Sequence, residues 1–417
     1  MHHPRLTSQP LLSLSFQRRG LGGGLLALAL LAGCGGGGSD AAVGTGGGAT
    51  VASYALGPIT GYGSIVVNGV HYNEKSARVF EDDVECGACA SALKLGMVVE
   101  IQGGAVDTST SRANAATVRF GSELKGPVSA VDTSGGLITL LDQTVAVSSS
   151  TVWDSSLTGG ITKLAELLAA GPVLLEVHAQ FNSATGQYLA TRIELETSLS
   201  SYKLRGTVAS LDTVATTFKI GNAIINYGGI PTASRPANLA DGLKLRVRLA
   251  TAQVNGQWVA TTLSTGVRKV EDSSHAHLRG TIGTVNSPTS FTVDGITVDA
   301  SNASWPDGTT GLVAGARVEV EGAMVNGVLV ATKVEFDSHH SGDDDDRNKP
   351  EIDGTVSAVD TSAKTFQIEG RSETISYAGA SFKDGTVAKL LVGAVVEVKA
   401  RLASDGSLVA KVVEFKS

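Results

Sequence analysis

Four stretches of this chain open alike: Gly126-Pro-Val-Ser-Ala-Val-Asp132, Gly206-Thr-Val-Ala-Ser-Leu-Asp212, Gly280-Thr-Ile-Gly-Thr-Val-Asn286 and Gly354-Thr-Val-Ser-Ala-Val-Asp360. They begin 80, 74 and 74 residues apart. A second landmark is a glycine just ahead of an alternating apolar segment, at Gly96, Gly171, Gly242, Gly315 and Gly393. A third closes the unit, as in Ala190-Thr-Arg-Ile-Glu-Leu195, Ala331-Thr-Lys-Val-Glu-Phe336 and Ala410-Lys-Val-Val-Glu-Phe415. Landmarks recurring in a fixed order mean that one small unit is passed through five times, and every motif has to be weighed against that background.

Within a pass the apolar period is two. Phe291, Val293, Ile296, Val298, Val318 and Val320 alternate with Thr292, Asp294, Thr297, Asp299, Glu319 and Glu321, as strands do when one face is buried and the other is wet. A short apolar segment between the third and fourth strands, such as residues 164–170 or 388–391, has room for one or two helical turns. About five strands within roughly 65 residues are too few for an immunoglobulin-sized sandwich but enough for a small barrel. The expected fold is therefore all-β: five tandem small closed barrels resembling OB-folds, each with a short helix between its third and fourth strands. The expected boundaries are residues 55–122, 123–197, 203–268, 277–337 and 351–417, with an acidic linker at 338–350.

The first 33 residues have a different character. Arg18 and Arg19 precede a 14-residue apolar run that is too short to span a bilayer and suits a signal-peptide core. It closes on Leu31-Ala32-Gly33-Cys34, which resembles the bacterial lipoprotein signal, so residues 1–33 are expected to be a removed signal peptide and Cys34 a lipidated anchor. Residues 34–54, rich in glycine, would then be a flexible tether. Gly35 after the cysteine resembles the arrangement that permits transfer to the outer membrane. The implied location is a bacterial cell envelope, with the folded part in the periplasm or at the cell surface.

A formal net charge of −7 gives no electrostatic reason to collect phosphate backbones, and 5% aromatic residues leave few platforms for bases. Nucleic acid is therefore not an expected partner. No hydrolase elbow, phosphate loop, dinucleotide fingerprint or metalloprotease motif is present, so no catalytic residue and no cofactor is expected.

Cys86-Gly-Ala-Cys89 is a candidate local disulfide. A reactive dithiol is disfavoured by the upstream acids Glu81, Asp82, Asp83 and Glu85. His339, His340, Asp343, Asp344, Asp345 and Asp346 are weak metal candidates, since a consecutive acidic run lacks the alternating spacing of a calcium loop and normally stays solvated. Glu271, Asp272, His275 and His277 form a milder version of the same surface at the preceding junction. His71 and His178 lie on strand-like segments and are expected at the surface. Tyr54, Tyr62, Tyr72, Trp153, Trp258 and Trp305 are candidate ligand-facing aromatics, with barrel plugging favoured for Trp153 and Trp305.

The chain resembles the family of domains of unknown function DUF5666, in tandem behind a lipoprotein leader. The resemblance rests on Gly57-Pro-Ile-Thr-Gly-Tyr-Gly-Ser-Ile-Val-Val-Asn-Gly69, on Leu93-Lys-Leu-Gly-Met-Val-Val99 and on the Gly-Thr-Val-Ser-Ala-Val-Asp openings. It implies no catalytic residues. The function expected is a lipid-anchored envelope protein with a non-catalytic binding or scaffolding role. Its partners would be the membrane through Cys34 and an envelope protein or glycan. The alternative is a divalent-cation-responsive accessory module of an envelope enzyme or transport system.

Overall fold

Burial follows the alternation. Phe291, Val293, Val298, Val318 and Val320 are wholly buried, as are Val396 and Val398 in the fifth pass, while Thr297 is exposed and Glu319 and Glu321 are half-exposed. The computed structural model describes residues 52–416 apart from 88, 266–269, 338–348, 372 and 404.

The recurring glycines have two separate causes. Gly96, Gly242, Gly315 and Gly393 have φ between +81° and +91°, a conformation in which a Cβ is strained. The opening glycines meet a crossing strand instead: a Cβ on Gly206 would sit 2.3 Å from the Ile220 side chain, and one on Gly354 would sit 2.4 Å from Ile368.

In the second pass Leu124–Asp132 pairs with Leu137–Leu140, that strand with Gln143–Ala146, and the latter runs parallel to Gln187–Glu196. Leu174–Asn182 joins both Gln187–Glu196 and Leu124–Asp132, completing a closed five-strand barrel. The fourth pass closes in the same order through Ser273–Ser287, Ser290–Val293, Ile296–Asp299, Val328–Phe336 and Arg317–Val325.

The expectation of five self-contained barrels, each with its own helix, is corrected on both counts. In the first and third passes the opening strand divides its pairing or is interrupted, and strands are shared between passes throughout. Ser53–Tyr62 divides its pairing between two strands at a register shift after Ile59. The third pass is interrupted at Val208, between Tyr202–Thr207 and Ala209–Asp212. Ladders also cross from pass to pass: residues 53–56 run parallel to 275–278, residues 61–62 parallel to 351–352, and 203–204 antiparallel to 124–125. The described strands therefore join into two sheets, of 18 and 12 strands.

Among the described residues there is one α-helix, Gly160–Ala170. Its sequence, GITKLAELLAA, is rich in Leu and Ala, and the Gly171 N–H closes its end on the Leu167 carbonyl. The corresponding segment of the fourth pass, Ser301-Asn-Ala-Ser-Trp-Pro-Asp-Gly308, carries proline and glycine and forms turns.

The cores merge accordingly. One apolar cluster runs from Leu124 to Leu263 across the second and third passes, a second combines the first and fifth, and Tyr54 and Leu56 of the first pass enter the core of the fourth. The polar counterpart is centred on Arg192, 1% exposed as a side chain. Its Nε donates to Glu194 Oε1 at 2.7 Å and its Nη1 to the Leu95 carbonyl at 3.0 Å, with Glu373 3.7 Å away. Tyr62 Oη donates to Glu373 and accepts from the Leu95 N–H, and the Arg371 guanidinium lies 3.8 Å over the Tyr62 ring. Residues of three passes are thus held by one buried cation. A second clasp sets Asp82 of the first pass against Lys203, at 2.9 Å, and Arg248, at 3.4 Å, of the third.

Replacing Arg192 with Met leaves Glu194 buried beside Lys94 alone and strips the Leu95 carbonyl of its donor. The expected loss is about 3–5 kcal/mol in denaturant unfolding, together with faster proteolytic cleavage near Leu95. An unchanged unfolding midpoint would show that the clasp is dispensable.

Candidate cation site

His277 lies on Ser273–Ser287, and Glu319 and Glu321 lie on Arg317–Val325. The antiparallel register places His277 directly opposite Glu321 and Arg279 opposite Glu319. Residues two apart share a face of a strand, so both carboxylates stand beside the imidazole on the outer face of the barrel. One ligand atom from each of the three residues falls within 4.8 Å of the others. The backbone beneath is pinned from the first pass, where Asn68 Nδ2 donates to the carbonyls of Leu56 and His277 at 3.0 and 2.8 Å.

The internal bonds of the site are compact. His277 Nε2 is 2.5 Å from Glu319 Oε1, and Arg279 Nη2 is 3.5 Å from Glu319 Oε2. Lys333, on the next strand, lies 3.5 Å from Glu321 and 2.8 Å from Glu335. Burial opposes ionisation of Glu319, but the His277 hydrogen bond and the charges of His277, Arg279 and Lys333 outweigh it and hold the carboxyl down at about 2. Burial, with help from His277, pushes the His275 imidazole below its ordinary value.

One imidazole and two carboxylates suit a borderline transition ion better than calcium, which takes six to eight oxygens. To accept an ion, Lys333 has to release Glu321, and Glu335 gives its ammonium an alternative partner. Glu319 and Glu321 were legible only as members of a wet strand face. The signal that could have singled them out is the alternation itself, which puts two acids on one face opposite a histidine.

The other candidate residues fall elsewhere. Cys34 lies outside the described residues, as do His339, His340, Asp343, Asp344, Asp345 and Asp346. Cys86 and Cys89 are joined in a disulfide beside the short turn Cys89–Ala92. Tyr54, Tyr62, Tyr72, Trp153 and Trp258 are buried, and half-buried Trp305 packs against Phe291 and Phe336, so none of these rings offers a ligand platform.

His178 is 1% exposed, which corrects its expected place at the surface, and neither of its ring nitrogens has a hydrogen-bond partner. Burial pushes its imidazole down to about 4 against the pull of Glu176 and Glu194. Glu176 is held at about 2, because His178, Lys125 and Lys203 overcome its burial.

Three segments, residues 125–194, 279–335 and 353–414, match the family described as domain of unknown function (DUF5666). The chain carries tandem DUF5666 domains. The second matched DUF5666 segment contains Glu319 and Glu321 and begins two residues after His277. No curated protein matches the chain. A solved structure titled "drosophila Unr CSD456" aligns at 15% identity over 53% of this chain and 98% of its own, with a TM-score of 0.14, too low for the likeness to carry an argument.

The expected membrane partner and envelope location are corrected. The thiols that the structure describes are consumed in a disulfide, and no described helix is long and apolar enough to cross a membrane. Anchoring through Cys34, and with it the envelope protein or glycan partner, has no support among the described residues and is withdrawn.

The titrations set the acid limb of stability. His178 binds its proton less readily when folded, so its contribution is complete above pH 6.5 and declines as pH falls through about 4. Glu176 and Glu319 add stability present above 4.5 that is lost as pH falls through about 2. Thermal melts should therefore fall in two stages on acidification, and His178→Gln should remove the upper stage and weaken the Glu176 part of the lower one, leaving the Glu319 part in place. A single stage unaffected by that substitution contradicts the assignment.

Proposed function

We propose that this protein is a non-catalytic accessory module whose DUF5666 array responds to a divalent transition ion bound at His277, Glu319 and Glu321. The observation that carries the reading is the convergence of these three ligand atoms within 4.8 Å at a junction between passes. His277 is also part of the segment that runs parallel to residues 53–56, so an ion there bears on how the first and fourth passes are joined. An ion exchanges the short His277–Glu319 bond for two stronger metal–ligand bonds and neutralises two neighbouring carboxylates. To share one ion the ligand atoms have to stand about 3.3 Å apart, so His277 and Glu319 open from 2.5 Å while the more distant ligand atom closes in, a rearrangement that side-chain rotation on a sheet surface can supply. The remaining positions of the coordination shell would be taken by water or by a group from a partner.

Titration of the metal-free full chain with zinc chloride, followed by calorimetry and thermal melting, tests this. One equivalent of zinc should bind and raise the melting temperature. Glu321→Gln and His277→Gln should each weaken binding by at least about tenfold, about 1.4 kcal/mol. Absence of binding, or equal binding by both variants and the native chain, overturns the reading.

A further inference from the structure

A cavity of about 510 Å³ opens between the first, fourth and fifth passes, within the range of about 300–1,000 Å³ typical of small-molecule sites. Its charge runs against the rest of the molecule. In a chain of net charge −7, the lining gathers Arg279, Lys349, Lys399 and Lys411 with His71, against two carboxylates, Glu319 and Glu351. Both carboxylates are already engaged, Glu319 by His277 and Arg279, and Glu351 by His71 at 3.7 Å and Lys399 at 3.3 Å.

Polar atoms left over around the cavity point the same way. Buried Arg279 Nε and His71 Nδ1 have no hydrogen-bond partner, and both belong to residues lining this cavity. Arg279 is held only loosely by its acids, at 3.4 Å from Asp337 and 3.5 Å from Glu319. A guanidinium with a spare N–H in a half-enclosed site is suited to a planar or tetrahedral oxyanion, and Lys399 and Lys411, both exposed, supply mobile point charges at the rim. The cations come from two different passes, Arg279 from the fourth and the lysines from the fifth, so a ligand spanning them needs more than one anionic group.

We propose that this cleft binds a small oligoanion bearing two or more phosphate or carboxylate groups, with Arg279 as the buried anchor and Lys399 and Lys411 as the outer clamp. The ligand lies across the line where the first pass meets the fifth, next to the parallel pairing of residues 61–62 with 351–352. Occupancy therefore ties the passes together by charge as well as by hydrogen bonds. Binding needs no metal ion, although Glu319 borders both this cleft and the cation site.

The test is calorimetric titration of the full chain, in buffer freed of metals on a chelating resin, with pyrophosphate and separately with citrate. Saturable binding of at least one probe is expected, weakening as salt is raised. The double variant Lys399→Gln/Lys411→Gln, whose changes are exposed and leave the cores intact, should bind at least about tenfold more weakly while melting like the native chain. Glu321→Gln, which removes a cation ligand outside the cleft lining, should leave anion binding unchanged, so the two sites fail or succeed separately. No saturable binding of either probe at millimolar concentration, or undiminished binding by the double lysine variant, overturns the proposal. Preference for pyrophosphate or for citrate identifies phosphate or carboxylate as the group recognised.

Discussion

A guanidinium sealed from water has to find all its compensation in protein, and Arg192 finds it in three passes at once. Its partners are Glu194 on its own strand, the Leu95 carbonyl from the first pass and Glu373 from the fifth. Such a group is weak as a source of net stability, since desolvation offsets most of the attraction, but any arrangement that separates the passes leaves charges stranded. The constraint is therefore on geometry. It fixes how the second barrel sits against the first and fifth passes, and that in turn sets the walls of the cleft and the backing of the cation site.

The repeat gives the same local position very different surroundings. Glu100, Glu176, Glu319 and Glu397 each sit on the outer face of the strand that follows the landmark glycine, opposite Leu56, Lys125, Arg279 and Asp353 respectively. In the second pass the neighbour two residues on is His178, buried with no hydrogen-bond partner, whereas in the fourth it is Glu321, half-exposed beside His277. Likewise Arg192 and Lys333 both follow an Ala-Thr pair, yet one is entombed and the other is half-exposed beside two acids. Chemistry on this scaffold comes from which outer faces neighbours cover and which they leave open.

This is also why the fold was only partly legible in the sequence. Alternation and the landmark glycines identify strands and their inward residues, because both are local consequences of pleat and backbone sterics. The inward positions Phe291, Val293, Val318, Val320, Val396 and Val398 were readable for that reason. Packing between passes was not, since it depends on outer residues such as Asn68, Asp82 and Arg192, whose polarity reads as solvent-facing. His178 shows the same limit: one histidine in an alternating strand looks wet until another pass covers it. Of the cation site, His277 stood out as part of a polar junction, but its two carboxylates became visible only once register brought their strand alongside. The helix expectation failed where Pro306 and Gly308 replace the Leu- and Ala-rich run of the second pass.

The strand Ser53–Tyr62 pairs with residues 275–278 and 351–352, more than two hundred positions later in the chain. Such pairings raise contact order and delay the step that completes them. During synthesis the first described strand emerges long before either of these partners, and its free edge has to be kept from mispairing meanwhile. Assembly is thus expected to finish from the carboxyl-terminal side. Shortening the chain there would harm the opening segment as much as the closing one.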